Sequence, residues 1–204
     1  LLLATPAGYA IARAEPSVRD RLLLLVILPF WTSFLIRIFA WKVLLHPEGA
    51  LKGALVGLGL VSEQAPLLYT PGAVLLVMVY TFLPFAILPV YAAAEKFDFR
   101  LLEAARDLGA SPLRAFALVF LPGIRSGLLT AFLVVFIPAL GSYGIPDLVG
   151  GPSGEMLGNK IAQRVFVDRN LPHASALSAL LIGAVLLPMA AVLVLQARKR
   201  HAEA

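Results

Sequence analysis

The chain has 204 residues, of which 60% are hydrophobic and only 14% charged, with a mean hydropathy of +0.88; soluble domains carry about 25% charged residues, so that class is excluded. The net charge of +5 does not point to nucleic acid, because the basic residues are divided among short connections beside apolar stretches instead of forming one patch. Cysteine is absent, which removes disulfide frameworks, thiolate metal sites and thiol nucleophiles; neither a catalytic set nor a metal site is expected.

A helix needs about 20 apolar residues to cross a bilayer core. Residues 1–12 form an apolar stretch too short for that, without the methionine and charged flank of a signal peptide, and are expected to be the end of a truncated span of a chain that starts further upstream. Spans are then expected over 22–44, interrupted by Arg37, over 71–94 within a charge-free run, over 119–141 and over 174–197. Pro29, Pro84, Pro89, Pro138 and Pro188 fall inside these stretches and predict kinks, since neighbouring helices in a membrane satisfy the carbonyls a proline frees. The expected fold is an all-α membrane protein, a polytopic helical bundle forming one transmembrane domain over 1–204.

The connections differ in charge. Arg13, Arg19 and Arg21 lie in the first, Lys96, Arg100, Arg106, Arg114 and Arg125 in the third, and Arg198, Lys199 and Arg200 in the tail, whereas the alternate connections hold Lys52, Lys160, Arg164 and Arg169. Basic residues concentrate on the cytoplasmic side, so the tail and the 95–118 loop are expected to face inward, in contact with the cytoplasm. Of the two outward connections, 46–63 is glycine-rich, with room for one weak surface helix. In 141–172, Leu157, Ile161 and Val165 recur at four-residue spacing and predict a short amphipathic helix.

The inward 95–118 loop has legible local chemistry. Leu101, Leu102, Ala105 and Leu108 fit one helical face, Gly109 suits the left-handed conformation after a helix, and Ser111-Pro112 reads as an N-cap followed by a first-turn proline. The loop is therefore expected to be helix, tight turn, helix. Ala104 and Ala105 carry minimal side chains, which lets this backbone press into a groove on another protein.

The series Glu103-Ala104-Ala105, three residues, Gly109, nine residues, then Val119-x-Leu121-Pro122 resembles the EAA signature of ABC-importer permeases at full spacing. The segments Pro29-Phe-Trp-Thr-Ser-Phe-Leu-Ile-Arg37, Leu102 to Ser111 and Ile145-Pro-Asp-Leu-Val-Gly-Gly-Pro152 look like the spermidine/putrescine branch of that family. The resemblance implies the type I ABC importer permease fold with about five of six spans present, in the bacterial inner membrane with the C-terminus cytoplasmic. It also implies the partners: ABC ATPase subunits, a second and different permease subunit, a periplasmic solute-binding protein and the lipid bilayer. In such permeases the loop is a coupling helix seated in a cleft of the ATPase, so that Glu103 would be the polar contact, Ala104 and Ala105 the close-approach surface, Gly109 the turn and Leu121-Pro122 the start of the driven span. No cofactor is expected in this chain, and ATP is expected on the partner; none of Lys42, Lys52, Lys96, Lys160 and Lys199 is followed by Ser or Thr, so a Walker A phosphate loop is absent.

For the translocation path, Arg37 is the ionisable group nearest membrane depth, although its place four residues before Trp41 also lets it reach the outer interface or fix helix packing. Asp147 follows Ile145-Pro146 in a glycine-rich break, where irregular backbone lines cavities, and a carboxylate there suits an ammonium. Tyr143 and Trp31 are candidates for cation–π contacts, with packing the ordinary alternative. Ser142 stands where putrescine permeases are expected to carry an acid, which leaves an opine or amino-acid derivative open beside a polyamine as solute. Two other classes fit these residues poorly. An intramembrane serine protease would use Ser153 in Gly151-Pro-Ser153-Gly154 with His173, but that serine lies in a polar loop; a channel or ion-driven carrier would want charges deep in several spans, and only Arg37 is available.

Overall fold

The computed structural model describes residues 1–202 and, among these, the side chains of all but 188 and 191–202. Pro188 and the basic side chains of Arg198, Lys199 and Arg200 thus lie outside the described residues. The regular structure of the described residues is all helical, with no strand among them, as an all-α polytopic fold requires.

Helix α1 (Ala4–Arg13) covers the first apolar stretch, and α2 (Pro16–Ile27) begins with proline in its first turn, where no N–H is missed. Pro29 then lies in a 3-10 turn, Leu28–Trp31, and the Thr32 hydroxyl donates to the Pro29 carbonyl at 2.9 Å while Thr32 itself is extended. This local bond competes with the helical ladder. The stretch expected to be a single kinked span over 22–44 is therefore interrupted at residues 32–33 and resumes as α3 (Phe34–Leu44). The weak surface helix is α4 (Ala50–Gly57), closed by Gly59 at φ +68.

Helix α5 (Pro71–Glu95) is 25 residues long and, by length and composition, the one described helix apolar enough to cross a membrane unbroken; two interrupted pairs qualify if each counts as one span. The Thr70 hydroxyl caps it by accepting from the Ala73 N–H at 3.1 Å, and Pro84 and Pro89 sit inside it without ending it.

After α5 come α6 (Arg100–Asp107), α7 (Pro112–Ala115), a π-helical segment Phe116–Phe120, α8 (Leu121–Gly123) and α9 (Arg125–Leu140). The stretch 112–123 and α9 meet at 73°, so the span expected over 119–141 is sharply bent near its start. Pro122 cannot donate to the ladder, and Ile124 leaves helical geometry at φ −99, ψ 15. The connection expected to face outward holds α10 (Gly144–Val149), a 3-10 turn Pro152–Gly154 and α11 (Leu157–Phe166), which covers the expected amphipathic helix; α12 (Leu171–Ala202) follows.

Contacts divide the chain into two compact units: Leu1–Ser33 with Val79–Phe136, and Phe34–Met78 with Ile137–Ala204. The first is built around Ala4, Ile11, Ile87, Val90, Leu102, Phe120, Ile124 and Ala131. Bare backbone makes its helix contacts close. A Cβ on Gly8 would stand 2.7 Å from Val90 Cγ1, and one on Gly127 would meet the Ala93 methyl and stand 2.8 Å from the Pro89 carbonyl oxygen. In the second unit Ile38, Val74, Val77, Ile145 and Val149 are buried, the Tyr69 N–H donates to the Val149 carbonyl at 3.0 Å, and Lys42 stands 5.6 Å from the Tyr69 ring centroid. Large apolar side chains such as Leu25, Ile36, Val43, Leu75 and Leu187 are exposed, which suits a hydrocarbon surround and would be an aggregation hazard in water.

Candidate functional site

The first unit carries the helical hairpin. The Asp98 carboxylate accepts from the Arg100 backbone N–H at 3.1 Å and from its guanidinium at 2.9 to 3.2 Å, fixing the start of α6. That guanidinium bond holds the Asp98 carboxyl below its ordinary range, and Asp98 in turn raises Arg100. Gly109 takes φ +86 with open space around its missing Cβ, so the requirement for glycine there is conformational, not steric. Ser111 caps α7 by accepting from the Arg114 N–H at 3.3 Å, and Pro112 occupies the first helical turn.

Glu103 and Ala104 are exposed on α6, while Ala105 is half-buried against the core. The leucines do not share one face as the periodicity suggests. Leu102 is buried, but Leu101, Leu108 and Leu113 are exposed, Leu108 at 90%. The hairpin thus presents Ala104 and the carboxylates of Glu103 and Asp107 beside the exposed side chains of Leu101, Leu108 and Leu113.

Sequence reading missed what lies beneath it. Phe97, Phe99, Phe116 and Phe120 form an aromatic base, with ring centroids 5.3 Å apart for Phe97–Phe120 and 5.1 Å for Phe116–Phe120; such pairs contribute about 0.5–1.5 kcal/mol beyond burial. Gly123 lies so close to the Phe97 ring that a Cβ would strike it. Leu121, half-buried, and Pro122, exposed, follow at once, so the hairpin joins α9 through a ring-packed π segment. The repeated phenylalanines were visible as a signal, but only the fold brings them together. At the end of α5 the Glu95 carboxylate accepts from Arg19 at 3.2 Å and from the Tyr91 hydroxyl at 2.6 Å.

The second unit holds a cavity of about 290 Å³ whose lining includes Tyr143, Asp147, Glu155, Asn159, Gln163 and Phe166. Two helices shape it. Tyr143 and Asp147 stand four residues apart at the start of α10, and Asn159, Gln163 and Phe166 occupy one face of α11 at i, i+4, i+7. Asn159 fastens the two together: its amide donates to the Tyr143 carbonyl at 3.2 Å and its oxygen accepts from the Met156 N–H at 3.2 Å. The first turn of α11 packs directly on the 141–142 backbone, where a Cβ on Gly158 would stand 2.7 Å from the Ser142 oxygen. Glu155 pairs with Lys160 and Arg164 with Asp168.

Of the four path candidates, Tyr143 and Asp147 come together in this cavity and Glu155 joins them unforeseen. Trp31 instead ends the 3-10 turn of the first unit, 73% exposed, and Arg37 is half-buried in the first turn of α3; neither lines the cavity. Ser153 is exposed in its 3-10 turn, a poor setting for a serine nucleophile.

Residues 4–200 match the family described as binding-protein-dependent transport system inner membrane component. Among curated proteins, the spermidine/putrescine transport system permease protein PotB of Haemophilus influenzae is 43% identical over 178 residues, 87% of this chain and 62% of that protein. PotB of Escherichia coli is 39% identical over 87% of this chain and 65% of its own length, and the Escherichia coli inner membrane ABC transporter permease protein YdcU is 34% identical over 86% of this chain and 59% of its own length. The chain therefore spans somewhat under two thirds of the length of these relatives.

Proposed function

This chain belongs to the binding-protein-dependent transport system inner membrane component family, and on that premise we propose that it is the permease subunit of an ATP-driven importer of a polyamine such as spermidine or putrescine. The observation that carries this reading is the hairpin over 100–115, which offers Glu103, Ala104 and the bare Leu108 to a partner while resting on an aromatic base. ATP is bound and hydrolysed by a separate subunit seated on that surface; a second permease subunit completes the path, and a periplasmic binding protein delivers the solute.

In this reading 95–118 is the cytoplasmic coupling loop, the spans run over 22–44, 71–94, 119–141 and 174–197, and the C-terminus is cytoplasmic. Support comes from contacts that join connections of the same charge class: Arg19 with Glu95 links the first and third, both rich in basic residues. The solute's ammonium groups meet Asp147 and Glu155, with Tyr143 and Phe166 as aromatic neighbours worth about 0.5–2 kcal/mol through cation–π contact. The name of the PotB relatives supports the polyamine class.

The test is made in the full-length importer reconstituted with its ATPase. Glu103→Arg is expected to abolish solute-stimulated ATP hydrolysis with membrane insertion intact, and Asp147→Asn to raise the KM for spermidine about tenfold, the loss that about 1.4 kcal/mol of binding produces. Undiminished coupling in the first variant would remove the docking reading; unchanged uptake in the second would remove the solute site.

A further inference from the structure

Tyr9 and Arg13 stand one helical turn apart on α1, and the Arg13 guanidinium donates to the Tyr9 hydroxyl at 3.0 Å. The same guanidinium lies 5.8 Å from the Tyr9 ring centroid and 5.7 Å from that of Phe99, the residue that opens α6. Tyr9 meets three rings of the hairpin base edge-on: Phe99 at 5.8 Å, Phe116 at 5.3 Å and Phe120 at 4.8 Å. One side chain of α1 therefore touches the residue that opens α6 and two residues of the π segment that follows α7. One residue before it, Gly8 brings α1 onto Val90 and Tyr91 of α5, so α1 is tied at the same level to a long apolar helix.

The chain enters α9 from the hairpin through Leu121-Pro122, where the ladder is weakened by a π segment, a proline and a 73° bend. A push delivered at α6 meets a compliant joint on that covalent route. The Tyr9–Arg13 contact is by comparison direct, and about 80 Å³ of space remains beside it among Glu103, Arg106, Pro112 and Phe116, room in which α6 can rock without opening the ring cluster.

We infer that Tyr9 and Arg13 are positioning residues that couple displacement of the hairpin to α1 and, through Gly8, to α5, forming a second route for transmitted force beside the covalent one. The inference rests on the hairpin being the element that receives the ATPase, and the experiment separates the two. The 204 residues contain no cysteine, so in a full-length importer whose other cysteines are replaced by serine Ala104→Cys gives a single cross-linking position that reports docking alone. In that background Arg13→Met and Tyr9→Ala are expected to keep the cross-link to the ATPase subunit and the assembly yield, while spermidine taken up per ATP hydrolysed falls severalfold. Arg13→Lys, which retains a cation over the rings, is expected to recover most of that ratio. An unchanged ratio in Arg13→Met overturns the inference, as does a Lys variant as poor as the Met variant; the exposed Arg13 position decides the matter if Tyr9→Ala fails to assemble. Absence of the cross-link in the otherwise natural chain would instead overturn the docking reading.

Discussion

The hairpin base and the cavity beside α10 and α11 are both made of short helices between long ones, yet their chemistry is opposite. Beneath the hairpin, rings fill the space, Phe120 is fully enclosed and Leu102 nearly so. Around the cavity, Asp147, Glu155 and Gln163 are exposed, and the hydrogen bonds of Asn159 run to backbone groups that hold the two helices together. A part that passes on displacement gains from dense apolar packing, which is stiff. A part that accepts and releases a charged guest gains from polar groups that water can satisfy when the guest is gone.

That contrast can be broken by stability measurements. Phe120→Ala leaves a hole in the ring cluster and is expected to cost about 3–5 kcal/mol, read as a lowered thermal unfolding midpoint of the purified chain. Gly127→Ala drives a methyl toward the Pro89 carbonyl, a backbone atom that cannot swing aside, and is expected to cost about 1–3 kcal/mol. Gly109→Ala, with open space around it, is expected to cost only the left-handed backbone penalty of about 1–2 kcal/mol, whereas Gly109→Pro cannot adopt φ +86 and is expected to abolish uptake. At the cavity, Glu155→Gln removes an exposed ion pair and is expected to change stability by no more than about 1 kcal/mol while impairing spermidine uptake. Losses as large there as at Phe120 would erase the distinction.

The smallest effect is expected from Asp98→Asn. The Arg100 guanidinium holds the Asp98 carboxyl below its ordinary value, so whatever the pair contributes is complete above that ordinary value and is lost as pH falls through the lowered one. Melting curves of the natural chain and the variant should run parallel across neutral pH and converge only in acid. A difference that instead opened above neutrality would assign the stabilisation to another group.

Local chemistry was legible wherever it is written in neighbouring residues. Gly109, the Ser111 cap with Pro112, and the apolar period of Leu157, Ile161 and Val165 depend on a few adjacent positions, and the helices form there. What escaped is set by distant contacts. Leu101, Leu102 and Leu108 are alike in composition, but only Leu102 finds the core. The break after Pro29 turns on a hydroxyl three residues later, and prolines at 84 and 89 with the same surroundings in composition leave α5 intact. Glu155 gave no signal because its nearness to Asp147 exists only after α10 and α11 have folded onto each other.

The π-helical turn at Phe116–Phe120 also sets the angular phase of the residues that follow it up to the break at Ile124. One extra residue per turn advances the following side chains by about 100° relative to a regular helix, because each residue accounts for about that angle at 3.6 per turn. Facing directions extrapolated from α7 are therefore out of step by the time the chain reaches Ile124. Deleting a single residue within 116–120 would restore regular winding and swing Phe120 out of its enclosed position, so the length of this stretch is as much a part of its specification as the identity of its side chains.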